Sequence, residues 1–260
     1  MFLIRSKLKI NIILLYLLLI LLNAIPFKYL LAEDIYIGVA SNFLTPMKAL
    51  KENFENTNNG KIYISSGSSG SLYSQIINGA PLDIFLSADQ DLPQKLEETS
   101  KAILGTRFTY ATGKLVVYST KQFLSSQSFP QLLTSNKISY IGIGKPGYVP
   151  YGRAGKEVLK SLNIFKKISS KLVFGKSVNQ VFLMNYFGNL DIGFISKTDF
   201  LSNNKRGKIW EIPQNLYSPI KQDAILLKNG EKKNNAILFL KFLSSESTKE
   251  NLKKFGYIVD

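Results

Sequence analysis

The chain has 260 residues, with 33 Lys and Arg against 18 Asp and Glu, giving a formal charge of +15. It contains no cysteine and no histidine. Those absences exclude disulfide frameworks, iron–sulfur and His/Cys zinc sites, Cys nucleophiles and Ser-His-Asp triads within this chain. The length suits one large domain or two of ordinary size.

In chain order, residues 1–32 read as a secretory signal peptide. Arg5, Lys7 and Lys9 form a basic start, and Ile12 to Leu22 is an unbroken apolar run of 11 residues. That is the length of a signal core and short of the about 20 residues a membrane span needs. Pro26 ends the run, and cleavage is expected near Ala32, before Glu33-Asp34. The exported remainder keeps 29 basic residues after loss of Arg5, Lys7, Lys9 and Lys28, against all 18 acidic ones.

Ile35 to Ala40 is a short apolar run rich in β-branched residues, hence a strand. Ser41-Asn42 follows, then a helical pattern through Met47, Leu50 and Phe54. Lys61 to Ser65 is a second strand, leading through Gly67-Ser68-Ser69-Gly70-Ser71 into a helix with Leu72, Ile76 and Ile77. Asp83 to Leu86 is a third strand with another helix after it. This βαβαβα pattern predicts a parallel sheet covered by helices. Arg107 to Tyr118 is extended and crosses into a second unit of the same kind. There the strands are Ile138 to Ile143, Leu172 to Phe174 and Asp191 to Ser196, and the helices follow Pro150-Tyr151-Gly152 and Gly175-Lys176-Ser177. Residues 209–227 return, and a last helical stretch runs from Ile237 to Leu252. The reading is two α/β lobes joined by two crossing segments, near Thr112-Gly113 and Ser218-Pro219.

Ser41-Asn42, Ser68-Ser69-Gly70, Tyr151-Gly152 and Ser177-Val178 all stand at strand-to-helix junctions. Ligands of open α/β sheets bind at the carboxyl ends of strands, where helix N-termini present unpaired N–H groups that suit an anion. Ser and Asn at a helix start also serve as plain N-caps. Four junctions on two lobes favour a shared oxyanion. Three motif-like stretches carry no chemistry. Gly142-Ile-Gly-Lys-Pro-Gly147 is followed by prolines instead of a helix, Gly175-Lys-Ser177 lacks the upstream P-loop glycine, and Ser218-Pro-Ile-Lys221 lies in the extended return. The basic residues are scattered lysines with four arginines in all, a solvated surface and not a nucleic-acid site.

The chain resembles the ModA family of periplasmic molybdate-binding proteins, the solute-binding components of ABC importers. The resemblance is carried by Val39-Ala-Ser-Asn-Phe43, Ser66-Gly-Ser-Ser-Gly-Ser-Leu72, Asn78-Gly-Ala-Pro-Leu-Asp-Ile-Phe-Leu-Ser-Ala-Asp-Gln90 and Pro150-Tyr-Gly-Arg-Ala-Gly-Lys-Glu157. Gly193-Phe-Ile195 and Lys254-Phe-Gly-Tyr257 fit the ends of that pattern. It implies a type II periplasmic-binding-protein fold, each lobe a mainly parallel sheet flanked by helices. Lobe 1 would comprise 33–112 with 220–260, and lobe 2 would comprise 113–219.

The resemblance further implies Ser41, Asn42, Ser69, Tyr151 and Val178 as ligand residues for molybdate or tungstate. Asn42, Ser69, Tyr151 and Val178 would give backbone N–H groups, and Ser41 and Ser69 hydroxyls. Ser68 and Ser196 are further candidates; Ser196 stands where some members place a Tyr hydroxyl. Molybdenum would be held only as the oxyanion, with no protein atom on the metal. The same resemblance implies no cofactor, no catalysis, a monomer, and a membrane permease with its ATPase as partners. Another oxyanion such as sulfate, or a sensor role without a transporter, is the alternative function.

Overall fold

The computed structural model describes residues 33–259 except 125, 127, 204 and 205. The expected signal peptide lies outside the described residues. Strand β1 (Ile35–Ala40) leads through a 3-10 turn at Ser41–Phe43 into helix α1 (Leu44–Glu55). Then come β2 (Ile62–Gly67), α2 (Ser69–Ile77), β3 (Ile84–Leu86), α3 (Asp91–Glu98) and β4 (Phe108–Gly113). The second unit holds β5 (Leu115–Ser119), β6 (Ile141–Gly144), α4 (Pro150–Ser161), β7 (Leu172–Gly175), α5 (Val178–Tyr186), β8 (Ile192–Ser196), α6 (Lys197–Ser202) and β9 (Lys208–Glu211). The chain returns through β10 (Ile220–Leu226) and ends in α7 (Asn234–Leu243) and α8 (Glu246–Lys254).

Two five-stranded sheets result, in the orders β2-β1-β3-β10-β4 and β7-β6-β8-β5-β9. In the first, β1 pairs in parallel with β2 and β3, while β10 runs against both β3 and β4. In the second, β6 pairs in parallel with β7 and β8, while β5 runs against β8 and β9. One strand per sheet is thus reversed, and in each case it is the strand by which the chain arrives from the other sheet. The extended stretch at 107–118 is two strands that part at Lys114 and belong to different sheets.

Strand alternation sends side chains to both faces of each sheet, and helices cover both. Ile35, Ile37 and Val39 pack with Met47, Leu50 and Phe54 of α1 and with Phe239 and Leu243 of α7. The opposite face buries Phe85 and Ile225 under Leu72, Ile76 and Leu96. In the second sheet, Ile141 and Ile143 meet Ala154, Val158 and Leu159 of α4, and Val116 and Ile195 meet Val181 and Phe182 of α5. The final helical stretch is broken in two. Ser245 is extended (ψ 151°) and its hydroxyl caps α8 by accepting from the Thr248 N–H. This is the behaviour of serine at a helix start.

Phe239 is fully buried and meets Phe54 edge-on at a centroid distance of 5.4 Å. We expect Phe239→Ala to destabilise the fold by about 3–5 kcal/mol, read as a lowered urea midpoint.

Candidate functional site

The parallel strands of the two sheets end towards one another. Ala40, Gly67 and Leu86 close β1, β2 and β3; Gly144, Gly175 and Ser196 close β6, β7 and β8. The Ser41–Phe43 turn packs against α5 and α6 of the facing sheet. The start of α2 meets the loop before α4, where the Gly70 N–H donates to the Tyr148 carbonyl at 2.9 Å. A Cβ at position 70 would lie 2.8 Å from Tyr148 Cα, so only glycine permits this approach.

Accounting for the first-turn N–H groups shows which remain. In α2, Ser68 Oγ accepts from the Ser71 N–H at 3.2 Å, and Gly70 is taken by Tyr148. The Ser69 N–H has no acceptor among the described residues. In α4, Pro150 has no N–H, and those of Gly152 and Arg153 go to the Val149 carbonyl, leaving that of Tyr151. In α5, Ser177 Oγ accepts from the Gln180 N–H at 3.1 Å, leaving those of Val178 and Asn179. In α6, the Lys197 N–H goes to the Lys114 carbonyl and the Asp199 N–H to Ser196 Oγ. Helix ends buried without partners for their N–H groups are sites for anions. Ser69, Tyr151 and Val178 are nearly or fully buried, as is Asn42 in the facing turn.

The side chains divide more sharply than the sequence suggests. Ser69 Oγ accepts from the Ala88 N–H at 2.9 Å, which occupies a lone pair and leaves the hydroxyl proton to donate. Ser41 is buried at the same end of β1, and its hydroxyl bonds to no described residue. Ser68 is a helix cap. The Ser196 hydroxyl donates to Asp199 Oδ2 at 2.7 Å and caps α6, so its proton is committed inside its own helix. The Tyr151 ring turns away from the helix start, and its hydroxyl accepts from Gln222 Nε2 at 3.3 Å beside Gly113. The Asn42 amide donates to Gln222 Oε1 at 2.9 Å and to the Tyr257 hydroxyl at 3.0 Å. Only the backbone of Asn42 and Tyr151 is therefore left for a ligand.

Two basic side chains near these junctions are engaged elsewhere. Arg153 crosses to Asp89 and Asp91 on the other lobe at 3.2 and 2.9 Å, and Lys197 pairs with Glu211. A cleft of about 310 Å³ flanks Arg153 and is lined by Asp89, Asp91, Glu157 and Lys221. Its three carboxylates make it a poor anion site. Among the described residues no cluster of acidic side chains could hold a metal ion.

Asp199 is a buried ionisable group that sequence reading passed over. Burial pushes its carboxyl up from 3.8 to about 6, against the hydrogen bonds from Ser196 and Asn179 that hold it down. The raised value means that the fold favours the neutral acid. Its stabilising effect is complete below the unfolded value near 3.8 and is lost as pH rises through about 6. The difference is worth about 3 kcal/mol at most. Asp199→Asn should therefore gain stability relative to the parent as pH rises from about 4 to about 7, measured by urea unfolding of both proteins.

The sequence matches the family described as bacterial extracellular solute-binding protein over residues 35–258. It is 37% identical to the molybdate-binding protein ModA of Azotobacter vinelandii over 87% of this chain and 90% of that protein. To the molybdate-binding protein ModA of Rhodobacter capsulatus it is 36% identical, covering 88% and 90%. The fold superposes on the periplasmic molybdate-binding protein of Azotobacter vinelandii with a TM-score of 0.83 at 35% identity, covering 87% of this chain and all of that one. Two α/β lobes meeting over helix N-termini, with a family match over residues 35–258 and these relatives along almost the same length, place the chain in the bacterial extracellular solute-binding protein family.

Proposed function

We propose that this chain is the extracytoplasmic binding protein of a molybdate importer, taking up molybdate and tungstate and handing them to a membrane permease. The observation that carries this reading is the set of unaccepted N–H groups at Asn42, Ser69, Tyr151 and Val178 on two facing lobes, with the Ser41 and Ser69 hydroxyls beside them. Arg153 and Lys197, the basic residues beside Gly152 and Ser196, are paired with carboxylates instead.

Molybdate is fully deprotonated near neutral pH, so a site that only donates suits it. Phosphate keeps a proton near pH 7 and needs an acceptor; a buried proton left without one costs about 1–3 kcal/mol. Charge-assisted bonds contribute about 1.5–3 kcal/mol each. Five or more suffice for sub-micromolar binding, about −8 kcal/mol, after desolvation and closure are met. Sulfate has the same charge and is smaller, so only cavity size rejects it. Tungstate matches molybdate in size and would bind comparably. The anion would dock on one lobe, and the other would swing in about Thr112-Gly113 and Ser218-Pro219 to add its own donors.

The relatives' names as molybdate-binding proteins support this reading, as does the signal-like start, which accords with export to the periplasm. The chain would act as a monomer, without a cofactor and without catalysis. A sensor of the same fold would bind the anion equally, and an adjacent permease and ATPase in the genome would distinguish the two.

Val178 sits at the first position of α5, after an extended Ser177 with φ −148° and ψ 165°. Proline is accepted there because that N–H is unused by the helix. We expect Val178→Pro to keep the helix, remove one donor, and weaken molybdate binding about ten- to hundredfold. Isothermal titration of residues 33–260 with molybdate, tungstate, sulfate and phosphate checks this. The parent should bind the first two tightly and the last two far more weakly; equal affinity for sulfate, or an unaffected proline variant, would count against the reading.

A further inference from the structure

Beneath the four junctions lies a buried, uncharged hydrogen-bond network that contributes no group to the anion. Its centre is Gln222 on β10, with none of its surface exposed. Gln222 Oε1 accepts from Asn42 Nδ2 at 2.9 Å and from the Tyr110 hydroxyl at 3.0 Å. Two donors on the oxygen fix the orientation of the amide, so Nε2 faces the Tyr151 hydroxyl at 3.3 Å. Asn42 is held a second time by Tyr257, whose hydroxyl accepts from the Asn42 amide and donates to the Asn42 carbonyl, both at 3.0 Å.

The partners lie on different sides of the cleft. Asn42 and Tyr110 belong with the first sheet, and Tyr151 belongs to α4 on the second. The bonds to Asn42 and Tyr110 need only the first lobe. The bond to Tyr151 joins the two lobes. The Tyr151 ring reaches across to the crossing point, where a Cβ at position 113 would fall 2.0 Å from its hydroxyl oxygen. One side chain therefore touches the residue that presents the Asn42 N–H and the residue that presents the Tyr151 N–H, from opposite lobes.

We infer that Gln222 is a positioning residue of the anion site: it sets the Asn42 turn and, through the Tyr151 hydroxyl, ties that turn to closure of the second lobe. The inference rests on the proposed anion-binding function. It assigns Gln222 no contact with the ligand. Because the Tyr151 bond joins the two lobes, losing it speeds release of a bound anion and leaves capture by the open form untouched.

The two tyrosines make the test internal. Each donates to or accepts from the same glutamine, but only Tyr151 does so across the cleft. Molybdate association and release are measured by stopped-flow fluorescence on residues 33–260 of the parent, Tyr151→Phe, Tyr110→Phe, Gln222→Met and Tyr151→Phe/Gln222→Met, alongside melting temperatures. Tyr151→Phe keeps its backbone N–H and should release molybdate about three- to tenfold faster with an unchanged association rate. Tyr110→Phe should lower the melting temperature while its release rate stays within about twofold of the parent's. In the Gln222→Met background, Tyr151→Phe should add nothing further to release. Unchanged release in Tyr151→Phe, equal acceleration in Tyr110→Phe, or additive effects in the double variant would overturn the inference. A parent that bound no oxyanion would overturn the functional reading and this inference together, which the parent titration reveals separately.

Discussion

A helix that starts at the carboxyl end of a parallel strand leaves its leading N–H groups without acceptors, and burying those groups is costly unless something negative fills the space. The rest of the structure follows from this constraint. Serine caps at 68, 177 and 196 satisfy the third N–H of their helices, and in α2 and α5 the first, on Ser69 and Val178, stays bare. Pro150 removes one donor outright, so that Tyr151 supplies the first available N–H of α4. Several dipoles then point at one small volume from two independent sheets. The occupant we propose is a dianion, met by donors from both lobes.

Two lobes can share such a site only if their approach is accurate, and the fold supplies contacts of different character for that purpose. Gly70 against Tyr148 is a steric fit that tolerates no side chain. The Gln222–Tyr151 bond is buried and neutral. The fork from Arg153 to Asp89 and Asp91 lies near the surface, with the Arg153 side chain 45% exposed, and contributes no more than about 1 kcal/mol per pair. Burial pushes the Asp89 carboxyl up, while the Leu92 N–H, the Ser87 hydroxyl and Arg153 oppose it. Charged contacts between the lobes thus lie at the rim, and close packing with a neutral hydrogen bond lies deeper. In the proposed site, uncharged backbone donors would leave size and protonation state as the means of telling one oxyanion from another.

Much of this was legible in the sequence, for identifiable reasons. Strands such as Ile35–Ala40 announce themselves by β-branched runs, and the junctions after them by Ser, Asn and Gly in the places helices begin. The N–H groups left without acceptors are backbone groups at those junctions, so locating the junctions located them. What could not be read were side-chain fates set by distant chain. Asn42 is held by Gln222 and Tyr257, which are 180 and 215 residues away. Tyr257 falls in the Lys254-Phe-Gly-Tyr257 stretch, but nothing local marks Asn42 as its partner, and nothing marks Gln222 at all. Ser196 had the composition of a ligand, but Asp199 three residues on takes its proton; the S-x-x-D spacing of a capping pair was the available signal. The reversed strands β5 and β10 were likewise hidden, because period and composition do not encode strand direction.

The central claim is that one oxyanion sits among backbone donors of both lobes. The most direct measurement is a crystal structure grown with molybdate and phased for the anomalous scattering of molybdenum. The account predicts a single strong peak between the turn at Ser41–Asn42 and the starts of α2, α4 and α5, with oxygens about 2.7–2.9 Å from the N–H nitrogens of Asn42, Ser69, Tyr151 and Val178. A peak lodged against Arg153 or surface lysines, or none at the helix starts, would contradict it.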